Sequence, residues 1–215
     1  VKIVDLVSFG PLGLWYFHIQ PPLHQALIYA LALPEVVRDA PITSEIVDLR
    51  LYVVYTVVYG LLNALVFIWA RDLTRSTRLS IVVMVLWAIY PGNLQMATLL
   101  DGTYLSLYLI TLTFYLLYRF LRTHQAKYAT LFILALTVTS YARTIFQIHV
   151  VVVLIVAVAC FWWLEMGTRR GWLMAVDVLL IAVMVALPIK QYVMFSSFTT
   201  TTFGGYHRTG MLFYD

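Results

Sequence analysis

The composition of this 215-residue chain indicates an integral membrane protein, because 62% of its residues are hydrophobic and only 11% are charged. Soluble domains carry about 25% charged residues, and a soluble fold of this size cannot hide so much apolar surface. The net charge of +4 is therefore interpreted through the positions of Lys and Arg relative to the membrane, and it does not indicate a nucleic-acid partner. The single cysteine, Cys160, excludes an intrachain disulfide.

The opening segment "WYFHIQPPLHQ" (15–25) gathers two histidines and two glutamines around Pro21-Pro22, ahead of a hydrophobic run that ends at Pro34. Thirteen helical residues extend only about 20 Å, whereas the hydrocarbon core of a bilayer is about 30 Å thick. The sequence therefore predicts a short interfacial helix over residues 22–34, within an external segment 1–50. Prolines are tolerated in a first helical turn and fit the start of this helix.

Apolar runs after residue 50 predict an all-α, polytopic transmembrane bundle over residues 51–189, with about six spans. The five runs of spanning length are Leu51–Ala70, Leu79–Leu100, Thr103–Leu121, Thr144–Leu164 and Gly171–Ile189. Tyr128–Ala142 is shorter and is expected to form a helical hairpin with the following run, with Arg143 at its tip. Pro91-Gly92 should kink or end the preceding helix. The Thr- and Gly-rich segment 190–215 is interpreted as an external loop.

Basic residues occur in three clusters at alternate connections between these runs: "ARDLTRSTR", "YRFLRTHQAK" and "EMGTRR". By the positive-inside rule these connections lie in the cytoplasm, and the remaining connections lie outside. Most of the polar side chains, including Asp5, His18 and Asp101, then fall on the external side. Unpaired polar groups are costly in lipid and converge on cavities, so we expect a site that faces outward from a membrane of the bacterial inner-membrane type.

The "HIQPPL" element is the sharpest local signal. Its prolines remove backbone donors and fix the chain direction, which would hold His18 and Gln20 over the external ends of the spans. The simpler interpretation is that Pro-Pro merely starts a helix, with His18 and Gln20 at the headgroup level. From the residues alone the simpler interpretation is favoured.

Arg143 is a second candidate, because the short helix before it should leave the hairpin tip recessed below the outer surface. A guanidinium there needs an anionic partner, and its fork matches phosphate geometry. Gln147 lies one turn further on the same face if the helix has begun. A lipid-linked phosphate would fit both side chains. An equal alternative is that the Arg143 side chain snorkels to ordinary lipid headgroups.

Asp101 is the remaining candidate, placed directly before a predicted helix in "DGT". A helix-capping role is the stronger interpretation, and orientation of a sugar hydroxyl is the weaker one. The histidines His18 and His24 are six residues apart, which does not place them on one helical face, and no cysteine adds a ligand. No resident metal site is predicted, although a divalent cation that assists a phosphate donor stays open.

Several segments together resemble the amino-terminal half of polytopic membrane glycosyltransferases of the C type, in the protein-mannosyltransferase and aminoarabinose-transferase-like families. "HIQPPL" resembles their His/Lys-Pro-Pro-Leu element, and "IWARDL" resembles a conserved basic segment after an early span. "YPGNLQMATLLDGTYLSLYL" is similar to their segment with proline followed by a spaced Asp, and "TSYARTI" takes the place of a Leu-Thr-Lys turn. "MFSSFTTTTFGGYH" is similar to a loop of some relatives.

The resemblance implies transfer of a sugar from a polyprenyl-phosphate donor to an acceptor on the external face. It implies a catalytic carboxylate in the first external loop, a role that falls on Asp5 or on sequence preceding this chain, together with a first transmembrane helix. Arg143, with Gln147, would bind the donor phosphate. His18, Gln20 and Asp101 would line the donor or acceptor cavity. The partners implied are membrane lipids and the lipid-linked sugar.

A second hypothesis is a non-catalytic membrane subunit, in which a truncated fold of the same type packs inside a larger membrane complex. Asp5 lies closer to the Pro-Pro element than the family's acidic residue does, which favours this alternative. A transporter or channel is a weaker hypothesis, because the sequence has no inverted repeat and few charges in its spans.

Overall fold

The computed structural model describes residues 22–38, 43–98, 102–142 and 171–195, together with positions 152, 155, 156 and 159. Within these residues nearly every position is helical and no strand occurs, in agreement with the predicted all-α class. The helices are α1 (Pro22–Val37), α2 (Ser44–Thr74), α3 (Thr77–Ile89), α4 (Pro91–Thr98), α5 (Thr103–Thr123), α6 (Ala126–Ser140) and α7 (Gly171–Phe195).

The chain divides into two compact units. Among the described residues, the first unit contains His24–Leu112, and the second contains Thr113–Asp215 with the two residues before His24. The first unit is therefore built from α1 to α4 and the first half of α5. The second contains the rest of α5, α6 and α7.

The predicted helix after Pro-Pro is present as α1, but it does not end at Pro34 as predicted. It continues through Pro34 to Val37. A proline has no N–H, so one backbone hydrogen bond of the helix is lost at this point. The Arg50 guanidinium, which belongs to α2, donates to the Leu31 carbonyl in the same turn at 2.5 Å. This long-range contact stabilises the turn that proline weakens.

Helix α2 is longer than the predicted span Leu51–Ala70 and includes part of the segment that was interpreted as an external connection. Its 31 residues extend about 46 Å, which exceeds a hydrocarbon core of about 30 Å. The first turns of α2, which contain Glu45 and Arg50, can therefore project beyond the hydrocarbon. Buried side chains recur every three or four residues along one face of α2, namely Val47, Leu51, Tyr55, Val58, Leu62 and Leu65.

The turn between α2 and α3 consists of Arg75 and Ser76. Arg75 adopts the left-handed conformation (φ 55°), and its N–H donates to the Arg71 carbonyl at 2.9 Å. Ser76 caps α3, because its hydroxyl accepts a hydrogen bond from the Leu79 N–H. This tight turn makes α2 and α3 antiparallel neighbours.

The predicted kink at Pro91-Gly92 is confirmed. The described part of the predicted run Leu79–Leu100, up to Thr98, forms two helices, α3 and α4, which bend by 56° at the break. Tyr90 is the residue between them. The change of direction at the proline separates the run into a long and a short arm.

In the second unit, α6 packs against α7. Helix α6 is buried on most of its surface, and its short length agrees with the prediction for this run. Helix α7 continues beyond the predicted Ile189, through Pro188, to Phe195. The start of the segment interpreted as an external loop is therefore helical. The predicted span Thr144–Leu164 lies almost entirely outside the described residues.

Two described helices are long and apolar enough to cross a membrane, Glu45–Thr74 and Thr103–Thr123, and the bent pair of α3 and α4 adds a third if it forms one span. Large apolar side chains on α3 face outward, as expected for contact with lipid: Ile81, Val82, Val85, Leu86 and Ile89. The structure thus supports an all-helical membrane protein with two to three candidate spans among the residues searched.

Candidate functional site

The six residues predicted to form the site all lie outside the described residues: Asp5, His18, Gln20, Asp101, Arg143 and Gln147. The structure does describe the residues that are nearest to them along the chain. These are Pro22 and Leu23 after the Pro-Pro element, Gly102 after Asp101, and Tyr141 and Ala142 before Arg143.

The beginning of α1 is attached to the end of α6 within the second unit. The Leu23 N–H donates to the Tyr141 carbonyl at 3.0 Å. An N–H in the first turn of a helix has no partner within its own helix, and here a carbonyl just beyond α6 provides one. The Tyr141 hydroxyl in turn donates to the Val183 carbonyl of α7 at 2.5 Å. The chain leading to Arg143 is thus fixed to both α1 and α7.

Gly102 lies in close contact with His24 in the first unit. Its φ is +82°, a conformation that side chains rarely tolerate. A Cβ at this position would lie 3.1 Å from Cγ of His24 and 3.3 Å from its Nδ1. Glycine is therefore strongly favoured here, since any other residue would strain the backbone and displace the His24 ring. Gly102, which follows Asp101 in the sequence, therefore lies against the imidazole of His24.

The imidazole of His24 also contacts α2. Its Nδ1 lies 3.2 Å from the Tyr55 hydroxyl, and the tautomer of the ring decides which of the two atoms donates. Tyr55 is 2% exposed, so this polar contact is enclosed by the core of the first unit. The sequence analysis did not single out Tyr55. The signal was available, because Tyr55 places a hydroxyl within the buried apolar face of α2.

The start of α5 is fixed to the kink between α3 and α4. The Tyr104 hydroxyl donates to Oδ1 of Asn93 at 2.8 Å, and Nδ2 of Asn93 donates to the Trp87 carbonyl at 3.0 Å. Tyr59 of α2 donates to the Ala88 carbonyl at 2.9 Å. Pro91 cannot bond the Trp87 carbonyl, since it has no N–H, and the break interrupts the hydrogen bonding of the last turn of α3. The Trp87 carbonyl accepts from the Tyr90 N–H at 3.3 Å as well as from Asn93, and Tyr59 supplies a donor to the Ala88 carbonyl, as an apolar environment requires.

The hydrogen bond between Tyr104 and Asn93 joins the two helices on either side of residues 99–101. Asn93 belongs to α4, which precedes the connection, and Tyr104 lies in the first turn of α5, which follows it. The rings of Tyr59 and Tyr104 also stack, with centroids 6.1 Å apart. Sequence analysis missed Tyr104, whose position one turn from a candidate carboxylate was the only available signal.

An ion pair joins α1 to the first turns of α2. Arg50 donates to both carboxylate oxygens of Glu35, at 2.5 and 2.7 Å. This hydrogen bonding holds the pKa of the Glu35 carboxyl below its ordinary value, against the opposing effect of burial. The bidentate geometry fixes the direction of α1 relative to α2. The pair therefore has a structural role in joining α1 to α2.

Within the described ranges, no group of three or more His, Cys, Asp or Glu side chains is arranged to hold a metal ion. The chemistry available around His24 is instead hydrogen bonding, from an imidazole and the Tyr55 phenol. Such groups can orient a hydroxyl or a phosphate oxygen. Comparisons with known proteins found no matching family model, no matching curated protein and no matching solved structure.

Proposed function

We propose that this chain is a membrane glycosyltransferase of the C type, which transfers a sugar from a polyprenyl-phosphate donor to an acceptor outside the membrane. The observation that carries the proposal is the hydrogen bond between Leu23 and Tyr141. Leu23 follows the Pro-Pro element directly, and Tyr141 lies two residues before Arg143. The contact joins the two motifs in which the resemblance places the donor phosphate and its cavity.

A second contact, between Gly102 and His24 within the first unit, involves residues that follow two of the predicted motifs along the chain. His24 follows the Pro-Pro element by two residues, and Asp101 precedes Gly102. The simpler role for Asp101, capping of α5, remains compatible with this contact, because Asp101 precedes the first residue of α5 by two positions. In the proposed function, Asp101 orients a sugar hydroxyl.

The proposed reaction is a single displacement at the anomeric carbon of the sugar. The Asp5 carboxylate accepts the proton of the acceptor hydroxyl as its oxygen forms a bond to the anomeric carbon. The bond from that carbon to the phosphate oxygen of the lipid breaks, and the phosphate leaves with the electron pair. Arg143 neutralises the charge that develops on the leaving phosphate. The products are the glycosylated acceptor and polyprenyl phosphate, and the anomeric configuration is inverted.

The proposal includes a membrane arrangement with about six spans and with the three basic connections in the cytoplasm. The site then faces outward from a membrane of the bacterial inner-membrane type. The positions of Arg75 and Arg78 at the α2–α3 turn, and of Arg122 and Lys127 between α5 and α6, support this orientation.

Sugar transfer in reconstituted vesicles tests the proposal. Purified chain would be supplied with a panel of polyprenyl-phosphate sugars, and release of polyprenyl phosphate would be measured. We expect Asp5→Asn and Arg143→Ala each to lower the rate by at least about 100-fold, the usual effect of removing a group that stabilises charge in a transition state. Arg143→Lys should retain intermediate activity, because it keeps the charge and loses the fork.

Arg38→Ala is the matched control, because Arg38 is an exposed cation beyond the end of α1 and belongs to no proposed site. Its rate should equal that of the unmodified chain. If the unmodified chain turns over a donor and both Asp5→Asn and Arg143→Ala leave that rate unchanged, the assigned roles are wrong. If no donor in the panel is turned over, the transferase proposal fails.

The alternative is a non-catalytic membrane subunit. The observation that favours it is the exposed apolar surface of α3, where Leu86 and Ile89 are each 60% exposed. Lipid can cover this surface, and so can the helices of a larger complex. Extraction in a mild detergent followed by native mass spectrometry separates the two functions. A stoichiometric partner together with absent turnover would favour the subunit.

A further inference from the structure

A compact group of cations and tyrosines lies where α5 ends and α6 begins, in the second unit. We call it the basic–tyrosine cluster, and it consists of Tyr115, Tyr118, Arg119, Arg122, Lys127 and Tyr128. The four members on α5 follow the spacing i, i+3, i+4 and i+7, which places them on one face of the helix. The turn beside it is tight, since His124 has a φ of 50° and its N–H donates to the Phe120 carbonyl.

Arg119 is held in a fixed orientation by two tyrosines. Its guanidinium donates to the Tyr115 hydroxyl at 3.1 Å and to the Tyr128 hydroxyl at 2.7 Å. Its Cζ lies 4.9 Å from the centroid of the Tyr128 ring and 5.9 Å from that of Tyr115. A long side chain on a surface normally loses conformational freedom when it binds an anion. The two tyrosines already restrict the Arg119 side chain, so less conformational freedom is lost when it binds an anion.

Two cations share one aromatic ring in this cluster. Nζ of Lys127 lies 5.1 Å from the centroid of the Tyr128 ring that Arg119 also contacts. Their separation therefore does not exceed roughly one Debye length, which is about 10 Å at 0.1 M ionic strength. Arg122 adds a third positive charge one turn along α5 and donates to the Tyr118 hydroxyl at 2.6 Å. The concentration of like charge makes the cluster attractive to an anion.

We propose that the basic–tyrosine cluster binds the phosphate of an anionic lipid headgroup. The candidate span Thr103–Thr123 ends at this cluster, which places it at the level of the headgroups. Tyrosine rings favour that level, and cations next to a span attract anionic lipids. The guanidinium forks of Arg119 and Arg122 match phosphate oxygens, and Lys127 adds a point charge. This site is separate from the proposed sugar-transfer site and does not depend on it.

The test uses the full chain in nanodiscs that contain phosphatidylcholine with or without phosphatidylglycerol. Native mass spectrometry after transfer to detergent measures how much phosphatidylglycerol stays bound. The test variant is Arg119→Gln with Lys127→Gln. The matched control is Arg75→Gln with Arg78→Gln, which removes the same charge from the exposed turn between α2 and α3. Circular dichroism melts would show whether both variants are folded.

We expect the Arg119→Gln, Lys127→Gln variant to retain at least about tenfold less phosphatidylglycerol, given the contribution of each basic residue near a membrane surface. The control variant should lose clearly less, because it lowers only the general attraction of the surface and leaves the pre-ordered guanidinium of Arg119 intact. An equal loss in both variants would overturn the proposal, because total surface charge would then explain lipid retention. No loss in the test variant would overturn it as well.

Two further measurements on the unmodified chain keep the proposal testable if the test variant unfolds. Retained phosphatidylglycerol should fall steeply as ionic strength rises, whereas phosphatidylcholine should not. Soluble glycerol phosphate should fail to displace the lipid at concentrations that leave the protein intact. Displacement by glycerol phosphate or by inorganic phosphate would contradict the assignment to a lipid headgroup. Retention that is independent of salt would contradict an electrostatic site.

Discussion

The N–H of Leu23 lies 3.0 Å from the carbonyl oxygen of Tyr141, although the two residues are far apart in the sequence. A proline at position 23 would remove this donor, and proline is tolerated sterically in the first turn of a helix. Leu23→Pro should therefore lower the free energy of unfolding by about 0.5–1.5 kcal/mol relative to Leu23→Ala. Leu23→Ala retains the N–H and accounts for the lost side chain. Equal melting temperatures of the two variants in detergent would show that the hydrogen bond does not form.

The positive φ of Gly102 and its contact with His24 predict the effect of a substitution at this position, and Gly60 offers a matched control. Gly102→Ala forces a side chain into a positive φ and towards the His24 ring, and it should destabilise the first unit by at least about 1–2 kcal/mol. Gly60→Ala is the control, because nothing lies within 4 Å of its added Cβ in the interior of α2. Alanine is the better helix former, so Gly60→Ala should stabilise by about 0.5–1 kcal/mol. Thermal unfolding should show opposite signs, and a neutral Gly102→Ala would exclude the close approach.

Removal of the Tyr104 hydroxyl tests the hydrogen-bond network at the kink between α3 and α4. Tyr104→Phe leaves Oδ1 of Asn93 without its donor in a buried place, which costs about 1–3 kcal/mol of stability. Tyr52→Phe serves as the control, since Tyr52 is 49% exposed on α2. Its effect should be within about 0.5 kcal/mol of zero. Chemical unfolding followed by circular dichroism compares them, and equal effects would mean that Tyr104 does not hold the kink.

The ion pair of Glu35 and Arg50 predicts a dependence of stability on pH. Arg50 holds the pKa of the Glu35 carboxyl below its ordinary value of 4.5. A lowered pKa in the folded state adds stability above the ordinary value, and that stability is lost as the pH falls below about 4.5. The melting temperature of the unmodified chain should therefore fall more steeply on acidification than that of Glu35→Gln. Glu45→Gln, at an exposed position of α2, should retain the steep fall, and an identical profile for Glu35→Gln would contradict the prediction.

The sequence predicted those features that depend on neighbouring residues. Pro91 predicted the kink because a missing N–H acts locally, and the apolar run after Thr103 predicted a span because its length alone suffices. The extension of α1 through Pro34 was not predictable, since it involves Arg50 from another helix. The contact of Gly102 with His24 likewise depends on how distant segments pack.

The residues discussed for the candidate site likewise fall into those that the sequence predicted and those that only the structure revealed. The motif residues Asp5, His18 and Arg143 came from the sequence and lie outside the described residues, so their roles stay predictions. The hydrogen bonds of Tyr55 with His24 and of Tyr104 with Asn93 became known only from the structure. A buried tyrosine within an apolar helix face looks like any other core aromatic until its hydrogen-bond partner is known.

The central claim is that the Pro-Pro element and the Arg143 turn lie at the same external face. Labelling of single cysteines with a membrane-impermeant maleimide tests it most directly, after Cys160→Ala removes the native thiol. We expect His18→Cys and Arg143→Cys to be labelled in intact cells, and Arg122→Cys to be labelled only after the membrane is permeabilised. Labelling of His18→Cys and Arg143→Cys from opposite sides of the membrane would contradict the claim.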